Sequence, residues 1–386
     1  FERLRSSPEK LATAFCNLIE CDKCPGQSLC SHKDGKANAE DVVALEGIYG
    51  EITAVCTDII GVTYSWLEDF TSCTATGKCE ICGSEVTETS YSLSVNNGIT
   101  TVAFENKGFV SPKLIDVAAG LSYYETRKAV TSYLQSGDMN LNLVLTAEID
   151  DTMVDSIRGG IESANVPNGS INLTLYGLEV VPYESFGTKI EYYIDFEEVY
   201  PLDQLKTVTL PDATTIEVSA FTENKGLESV YAPNVTSIQA CAFYGCKSLA
   251  EIYCPDVQAI GQQAFDSCME LTELYFPEVT SVDSYAFSDC TALEKVYLPK
   301  LTTVSYGVFY GSESLTSLTF GCLESAYALF MPNFIGSTNI DLTLGAGQKV
   351  FENTSGYRWD ATEEALQPGS TEFMGATFKS ITIAEA

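Results

Sequence analysis

The chain has 386 residues, 45% of them hydrophobic and 19% charged, which is the composition of a folded protein with two or three domains. Its formal net charge of −32 argues against nucleic acid as a partner, because phosphate backbones are bound by Lys and Arg, and also against an anionic membrane surface. No run of about 18 apolar residues occurs, so no transmembrane helix and no membrane insertion are predicted. The chain begins at Phe1 without an initiator Met or a signal-peptide pattern, as a mature or trimmed chain would.

A Cys-rich head is predicted over residues 1–85. An even number of cysteines in an exported protein favours disulfides, although eight cysteines allow many connectivities. Zinc is the rival interpretation, since two C-x2-C pairs have knuckle spacing, although the chain between them is long for a compact finger. Reduced structural thiols are the third. The disulfide prediction concerns Cys16, Cys21, Cys24, Cys30, Cys56, Cys73, Cys79 and Cys82, and the zinc alternative Cys21, Cys24, Cys79 and Cys82.

No catalytic residue and no cofactor are predicted. His32 is the single histidine of the chain, which excludes a multi-histidine metal site, and its Ser-His-Lys-Asp-Gly context favours an exposed loop. A Gly-rich phosphate loop, a G-x-S-x-G elbow and an H-E-x-x-H motif are all missing from the sequence.

Residues 86–138 predict a hairpin and a helix that cap the following solenoid. Asn96-Asn97-Gly98 lies between two alternating runs, which is a hairpin signal. The segment from Pro112 to Leu134 has helical spacing of its apolar residues. Two strands of longer, irregular repeats then follow at 140–145 and 172–175, with a helix on the outer face at 150–164 between them.

A 22-residue repeat dominates the C-terminal half. The first position of each unit is Leu in six successive units, and an aliphatic residue follows three positions later. In five of the units a Pro follows three positions after that aliphatic residue. The leucines are Leu205, Leu227, Leu249, Leu271, Leu293 and Leu315. Each unit then carries an aliphatic residue and a small residue followed by Phe; these phenylalanines are Phe221, Phe243, Phe265, Phe287 and Phe309.

This spacing predicts an α/β solenoid with one parallel strand per coil. In Leu271-Thr-Glu-Leu-Tyr-Phe276 the residues Leu271, Leu274 and Phe276 point inward, and the next Pro ends the strand because it cannot donate to the sheet. One unit cannot bury its apolar face alone, so stacked units share a core. The solenoid is predicted over 139–345, regular over 205–320, with a C-terminal cap over 346–386.

The repeat resembles the BspA-like (Treponema pallidum-type) leucine-rich repeat, whose pattern is L-x-x-I-x-L/F-P followed by I-x-x-x-A-F-x-x-C. Residues 249–268 and 271–290 match it nearly position for position. The resemblance implies a bacterial cell-surface or secreted protein that mediates adhesion or ligand binding and has no enzymatic activity.

One outward strand position is Tyr in four successive units, with acidic residues beside it and Lys295 as the only base nearby. Strands about 4.8 Å apart would align these side chains into a ladder. Tyr is enriched in binding hot spots, but it also favours strands and stacks on its own neighbours, so either role fits. The candidate ligand-binding residues are Tyr231, Tyr253, Tyr275, Tyr297, Glu228, Glu251, Glu273 and Glu294.

Another column of the repeat contains Cys246, Cys268 and Cys290. We interpret them as small buried hydrophobes. Asn224 and Ser312 hold the same position in the flanking units, so no disulfide or metal is expected there.

The leading functional hypothesis is a non-catalytic protein at the bacterial cell surface or outside the cell, whose strand face binds a host or matrix protein or a glycan. The alternative is an architectural spacer or stalk of a larger surface or phage-type assembly.

Overall fold

The computed structural model describes residues 59–67, 70, 72–79, 85–96, 98–105, 109, 112–190, 198–199, 201–321 and 340–345, together with four short strand segments nearer the C-terminus. These residues fall into two compact units. The first holds the described residues up to Asn96 and those in 100–113, and the second holds 97–99 and those from Leu114 onward. Across these ranges no helix is long and apolar enough to cross a membrane.

The first unit is built of strands. β1 (Ile59–Trp66), β2 (Cys73–Cys79) and β3 (Glu85–Thr89) form an antiparallel sheet in that order, and β4 (Ser92–Asn96) neighbours β5 (Ile99–Ala103). Gly98 lies between β4 and β5 with a φ of 78°, a conformation that glycine adopts without strain. The predicted hairpin is therefore confirmed.

The disulfide prediction is wrong for Cys73. Its side chain is fully buried in a small core with Ala75, Val102, Phe104 and Phe109, and its thiol is free. Burial raises the pKa of this thiol to about 11, so it stays protonated at neutral pH. Cys79 ends strand β2, while Cys16, Cys21, Cys24, Cys30, Cys56 and Cys82 lie outside the described residues.

Apart from Lys113, which belongs to the first unit, the second unit opens with strands and helices in alternation: β6 (Lys113–Asp116), α1 (Tyr123–Gln135), β7 (Asn140–Val144), α2 (Asp151–Ala164) and β8 (Ile171–Tyr176). The helix predicted from Pro112 is wrong at its start. Leu114 and Ile115 are fully buried, and β6 pairs in parallel with β7. Helix α1 begins only after Ser122, whose N–H donates to Glu125 at 2.9 Å.

Helix α2 lies where the sequence predicts a helix, and its ends have clear local causes. The Asp150 side chain accepts the Met153 N–H at 2.8 Å, and Asn165 closes the helix with a φ of 53°. A Cβ on Gly160 would lie 2.7 Å from the Val130 Cβ, so this glycine lets α2 pack closely on α1. Buried Arg158 donates to the carbonyls of residues 185 and 187.

Short strands make up the rest of the chain. In chain order they are β9 (Val180–Val181), β10 (Lys189–Ile190), β11 (Glu198–Val199), β12 (Leu205–Thr209), β13 (Thr215–Ile216), β14 (Ser229–Tyr231), β15 (Ser237–Ile238), β16 (Glu251–Tyr253), β17 (Ala259–Ile260), β18 (Glu273–Tyr275), β19 (Ser281–Val282), β20 (Lys295–Leu298), β21 (Thr303–Val304), β22 (Ser317–Phe320), β23 (Ile340–Leu344), β24 (Trp359–Asp360), β25 (Ala365–Leu366), β26 (Glu372–Phe373) and β27 (Ala376–Ile383).

The repeats stack through two sets of parallel strands. On one side β9, β13, β15, β17, β19 and β21 pair without interruption. On the other side β6, β7, β8, β12, β14 and β16 form one sheet section, and β18, β20, β22, β23 and β27 form another. Residues 22 apart are partners, as in the pair Val230 and Ile252. The predicted inward orientation of Leu271, Leu274 and Phe276 is confirmed, since these side chains are at most 2% exposed.

A column of phenylalanine rings runs through the core, formed by Phe186, Phe221, Phe243, Phe265, Phe287 and Phe309. Neighbouring ring centroids lie 5.3–5.7 Å apart with planes within 16°. All six side chains are fully buried. Each contributes about 1.5–3 kcal/mol through burial, so this phenylalanine column is a main source of stability in the repeats.

Candidate binding face of the solenoid

The tyrosine column consists of Tyr231, Tyr253, Tyr275 and Tyr297, and it lies on the outward side of the second sheet set. Its side chains are 49%, 52%, 63% and 39% exposed in that order. On each strand, the residues that alternate with the tyrosine point toward the core. The strand face, meaning the outward side chains of β7, β8, β12, β14, β16, β18, β20, β22 and β23, therefore presents large aromatic groups to solvent.

Within the tyrosine column the rings form two stacked pairs. Tyr231 stacks on Tyr253 and Tyr275 stacks on Tyr297, each with centroids 5.0 Å apart and planes within 5°. Because the stacking runs from strand to strand, the ring faces point toward neighbouring repeats. Stacking therefore uses one face of each ring, and the other face is left for a ligand or another neighbour.

The prediction of a single ladder of four tyrosines is wrong. Strands β16 and β18 belong to different sheet sections, and among the described residues Tyr253 and Tyr275 make no ring contact. In other repeats the backbone N–H of the residue after Tyr donates to the carbonyl of the Tyr one repeat later. Ala232 donates in this way to Tyr253 at 2.9 Å, and Phe276 to Tyr297 at 3.1 Å. The equivalent bond from Cys254 is not formed in this described part of the chain.

The opening between these two repeats is confined to the strand face. On the opposite side β17 and β19 are paired, and the rings of Phe265 and Phe287 stack at 5.4 Å. Ile252, below the interruption, is partly exposed, whereas its counterparts Val230 and Leu274 are at most 3% exposed. The two repeats are thus held together at the core and separated at the surface.

The four glutamates of the predicted site do not form one column. Glu251 and Glu273 lie in their strands, where Glu251 pairs in register with Ser229 and Glu273 with Lys295. Glu228 and Glu294 instead precede β14 and β20.

Two of the glutamates have lysine partners, and Lys295 is not the only base nearby as predicted. Lys206 lies 3.6 Å from the Glu228 carboxylate. Lys295 donates to Glu273, and this hydrogen bond, with the carboxylate charge, raises the pKa of Lys295. Glu251 has no lysine partner among the described residues, so it carries an uncompensated charge at the edge of the opening.

The strand face continues toward the N-terminus as amides and hydroxyls. Asn172 donates to the Asn140 side chain at 3.0 Å, and Thr207 donates to Asn172 at 3.0 Å. Sequence reasoning did not include these residues in the site, although the alternation of Asn or Thr with inward Leu at 140–143 and 172–175 carries the signal.

The cysteine column is buried as expected, but its thiols also form hydrogen bonds. Cys246, Cys268 and Cys290 each direct the sulfur at the carbonyl of the phenylalanine 25 residues earlier, at 3.1–3.3 Å. The Ser312 hydroxyl and the Asn224 amide donate to the carbonyls of Phe287 and Phe186 at 2.9 Å. All five residues of this donor column (Asn224, Cys246, Cys268, Cys290 and Ser312) therefore satisfy a buried carbonyl.

The buried thiols of the repeats are poor nucleophiles. Burial raises the pKa of Cys246, Cys268 and Cys290, and it raises that of Cys254 to about 12. A thiolate is the reactive form, so these groups stay inert at neutral pH. The described residues contain no group of three side chains suited to a metal ion, and most of the cysteines of the zinc alternative lie outside them.

Stacked parallel strands, a buried phenylalanine column and one Leu-headed coil per unit define a leucine-rich repeat protein. Residues 200–330 match the family model of the BspA type leucine-rich repeat region in six copies, and this part of the chain is a BspA-type repeat region. Repeats of this family serve as protein-interaction modules.

One solved structure similar to the chain is a leucine-rich repeat protein from Bacteroides ovatus ATCC 8483, with 22% identity and a TM-score of 0.33. That similarity covers 45% of this chain and 50% of the other, so this chain spans about half the length of the protein it matches. No curated protein matches.

Proposed function

We propose that this chain is a non-catalytic, BspA-type binding protein of the bacterial cell surface or secreted fraction, which holds a host or matrix protein, or a glycan, on its strand face. The observation that carries the proposal is the tyrosine column, whose four side chains are 39–63% exposed although the inner residues of their strands are buried, apart from partly exposed Ile252. Exposed, rigid aromatic rings contribute large contact areas at low entropic cost.

The surroundings of the tyrosine column support binding rather than simple strand formation. One face of each ring is used in stacking, but all four side chains remain 39–63% exposed. Carboxylates, lysines, amides and hydroxyls surround them on the same face, which gives the polar rim typical of an interaction surface.

The test is an array of extracellular-matrix proteins and glycans probed with the full chain. We expect a hit whose binding is lost in the Tyr253→Ala/Tyr275→Ala double variant. The matched control is Tyr306→Ala/Tyr310→Ala, because these two tyrosines are both 44% exposed but lie outside the strand face. Undiminished binding by the first variant would contradict the proposal, and an empty array together with self-association would favour an architectural role instead.

A further inference from the structure

The opening between β16 and β18 combines features that the other described repeat boundaries of the strand face lack. The rings of Tyr253 and Tyr275 flank it, each with one face already stacked on a partner and the other directed toward the gap. Partly exposed Ile252 forms its floor. We call this place the slot and define it by Tyr253, Tyr275, Ile252 and Glu251.

The slot also carries backbone groups that lack, within the described part of the chain, the bond formed in other repeats. The Cys254 N–H and the Tyr275 carbonyl do not form the bond that joins other repeats. Unpaired strand-edge groups are ready to bond an incoming chain. Glu251 adds an exposed carboxylate with no lysine partner in the described ranges, whereas Glu228 and Glu273 each have one.

We propose that the slot binds the guanidinium group of an arginine side chain presented by an extended segment of a protein partner. Guanidinium is planar and positively charged, and it stacks on aromatic faces. It also donates two parallel hydrogen bonds to a carboxylate, a role that Glu251 is free to accept. The net charge of −32 favours the approach of a cationic partner.

Charge and shape together select arginine over the other occupants. A lysine ammonium is a compact, strongly hydrated charge without a plane to place between two rings. A neutral sugar would stack on a ring but would leave the Glu251 charge uncompensated. The inference rests on the proposed function, since it names the chemistry that the same strand face recognises.

The experiment titrates the full chain with a short Gly-Arg-Gly peptide and with otherwise identical peptides that carry lysine or citrulline. Citrulline keeps the plane of arginine without its charge, so it separates stacking from charge pairing. We expect the arginine peptide to bind about tenfold more tightly than either analogue, and to weaken as salt is raised.

Variants of the chain give the second arm of the experiment. Glu251→Gln should weaken the arginine peptide about tenfold and abolish its preference over citrulline. Tyr275→Leu should weaken it to a similar degree, whereas the control Tyr310→Leu, which changes a 44% exposed tyrosine outside the strand face, should stay within about twofold. Circular dichroism of each variant confirms that the repeats are folded.

Two results would overturn the proposal. One is equal binding of the arginine and lysine peptides, unaffected by Glu251→Gln, which would show general attraction to an acidic chain. The other is a neutral oligosaccharide that binds through Tyr253 and Tyr275 while the arginine peptide does not. In that second case the strand face would still be the binding surface, so the failure of the slot is distinguishable from the failure of the proposed function.

Discussion

The inside and the outside of the repeats follow the same 22-residue spacing, yet only the inside is continuous. The phenylalanine column stacks at 5.3–5.7 Å through every described repeat, whereas the tyrosine column is split into two pairs of 5.0 Å. A ring in the core must fill its space because cavities cost free energy. A ring at the surface has no such constraint, so the outer face departs from the regular pattern where Tyr253 and Tyr275 flank the slot.

The largest expected effect is a difference in unfolding free energy between variants of the phenylalanine column and of the tyrosine column. Phe265→Ala removes a fully buried ring stacked on two neighbours and should lower the free energy of unfolding by about 3–5 kcal/mol. Tyr275→Ala removes a 63% exposed ring and should cost about 1 kcal/mol, the contribution of one stacked pair. Urea unfolding of both variants checks this, and similar losses for the two would contradict the comparison.

The donor column provides the next test, because it distinguishes hydrogen bonding from simple filling of space. Cys268→Ala leaves the Phe243 carbonyl without its donor and should cost about 1–3 kcal/mol, whereas Cys268→Ser keeps a donor and should cost less than about 1 kcal/mol. Cys254 makes no sulfur hydrogen bond among the described residues, so Cys254→Ser buries an unpaired hydroxyl and should cost about 1–3 kcal/mol. If serine is tolerated equally at both positions in urea unfolding, the donor role is wrong.

Part of this fold follows from the sequence and part does not. The sequence predicts the buried positions of the repeats better than their outer face. The inward positions, helix α2 and the hairpin at Gly98 are predicted because period and caps determine them locally. The donor role of the cysteine column also had a signal, since Asn224, Cys246 and Ser312 share a position and are all donors. Cys73 was misassigned because a count of cysteines cannot tell a buried thiol from a bonded one.

The remaining errors depend on tertiary structure. Lys113–Asp116 has a spacing that also suits a helix, and pairing with β7 makes it a strand. The slot has no sequence signal, because the residues around Tyr253 and Tyr275 repeat as regularly as those of paired strands. Lys206 was missed as a partner of Glu228 because the two lie 22 residues apart and meet only in the stacked repeats.

Alkaline pH should weaken the core of the repeats through its buried thiols. The pKa of Cys254 is about 12 in the folded chain, above its ordinary value, so between about pH 9 and 12 the unfolded chain loses this proton while the folded chain retains it. Stability that is fully present below that window should fall as the pH rises through it, with the three donor-column thiols adding in the same direction. Urea midpoints across this range test the prediction, and in Cys254→Ala the fall should be smaller.

The smallest expected effect on stability concerns a left-handed backbone conformation that recurs at the same position of successive repeats. Ser219, Cys241, Gln263 and Tyr285 all have φ of 56–61°, and Gly307 holds the same position in the next unit. Cys241→Gly should relieve left-handed strain and stabilise the chain by about 0.5–1 kcal/mol after the entropic cost of glycine. A loss of stability in thermal unfolding would show that the Cys241 side chain contributes more than its backbone strain costs.

Hydrogen exchange with and without the partner found on the array tests the central claim, that binding occurs on the strand face. We expect the partner to protect the amides of 251–254 and 273–275, where the Cys254 N–H lacks the backbone bond that joins other described repeats. The amides of 259–260 and 281–282, in the continuous strands on the other side, should exchange as before. Protection confined to this second group, with residues 251–254 and 273–275 unchanged, would contradict the account.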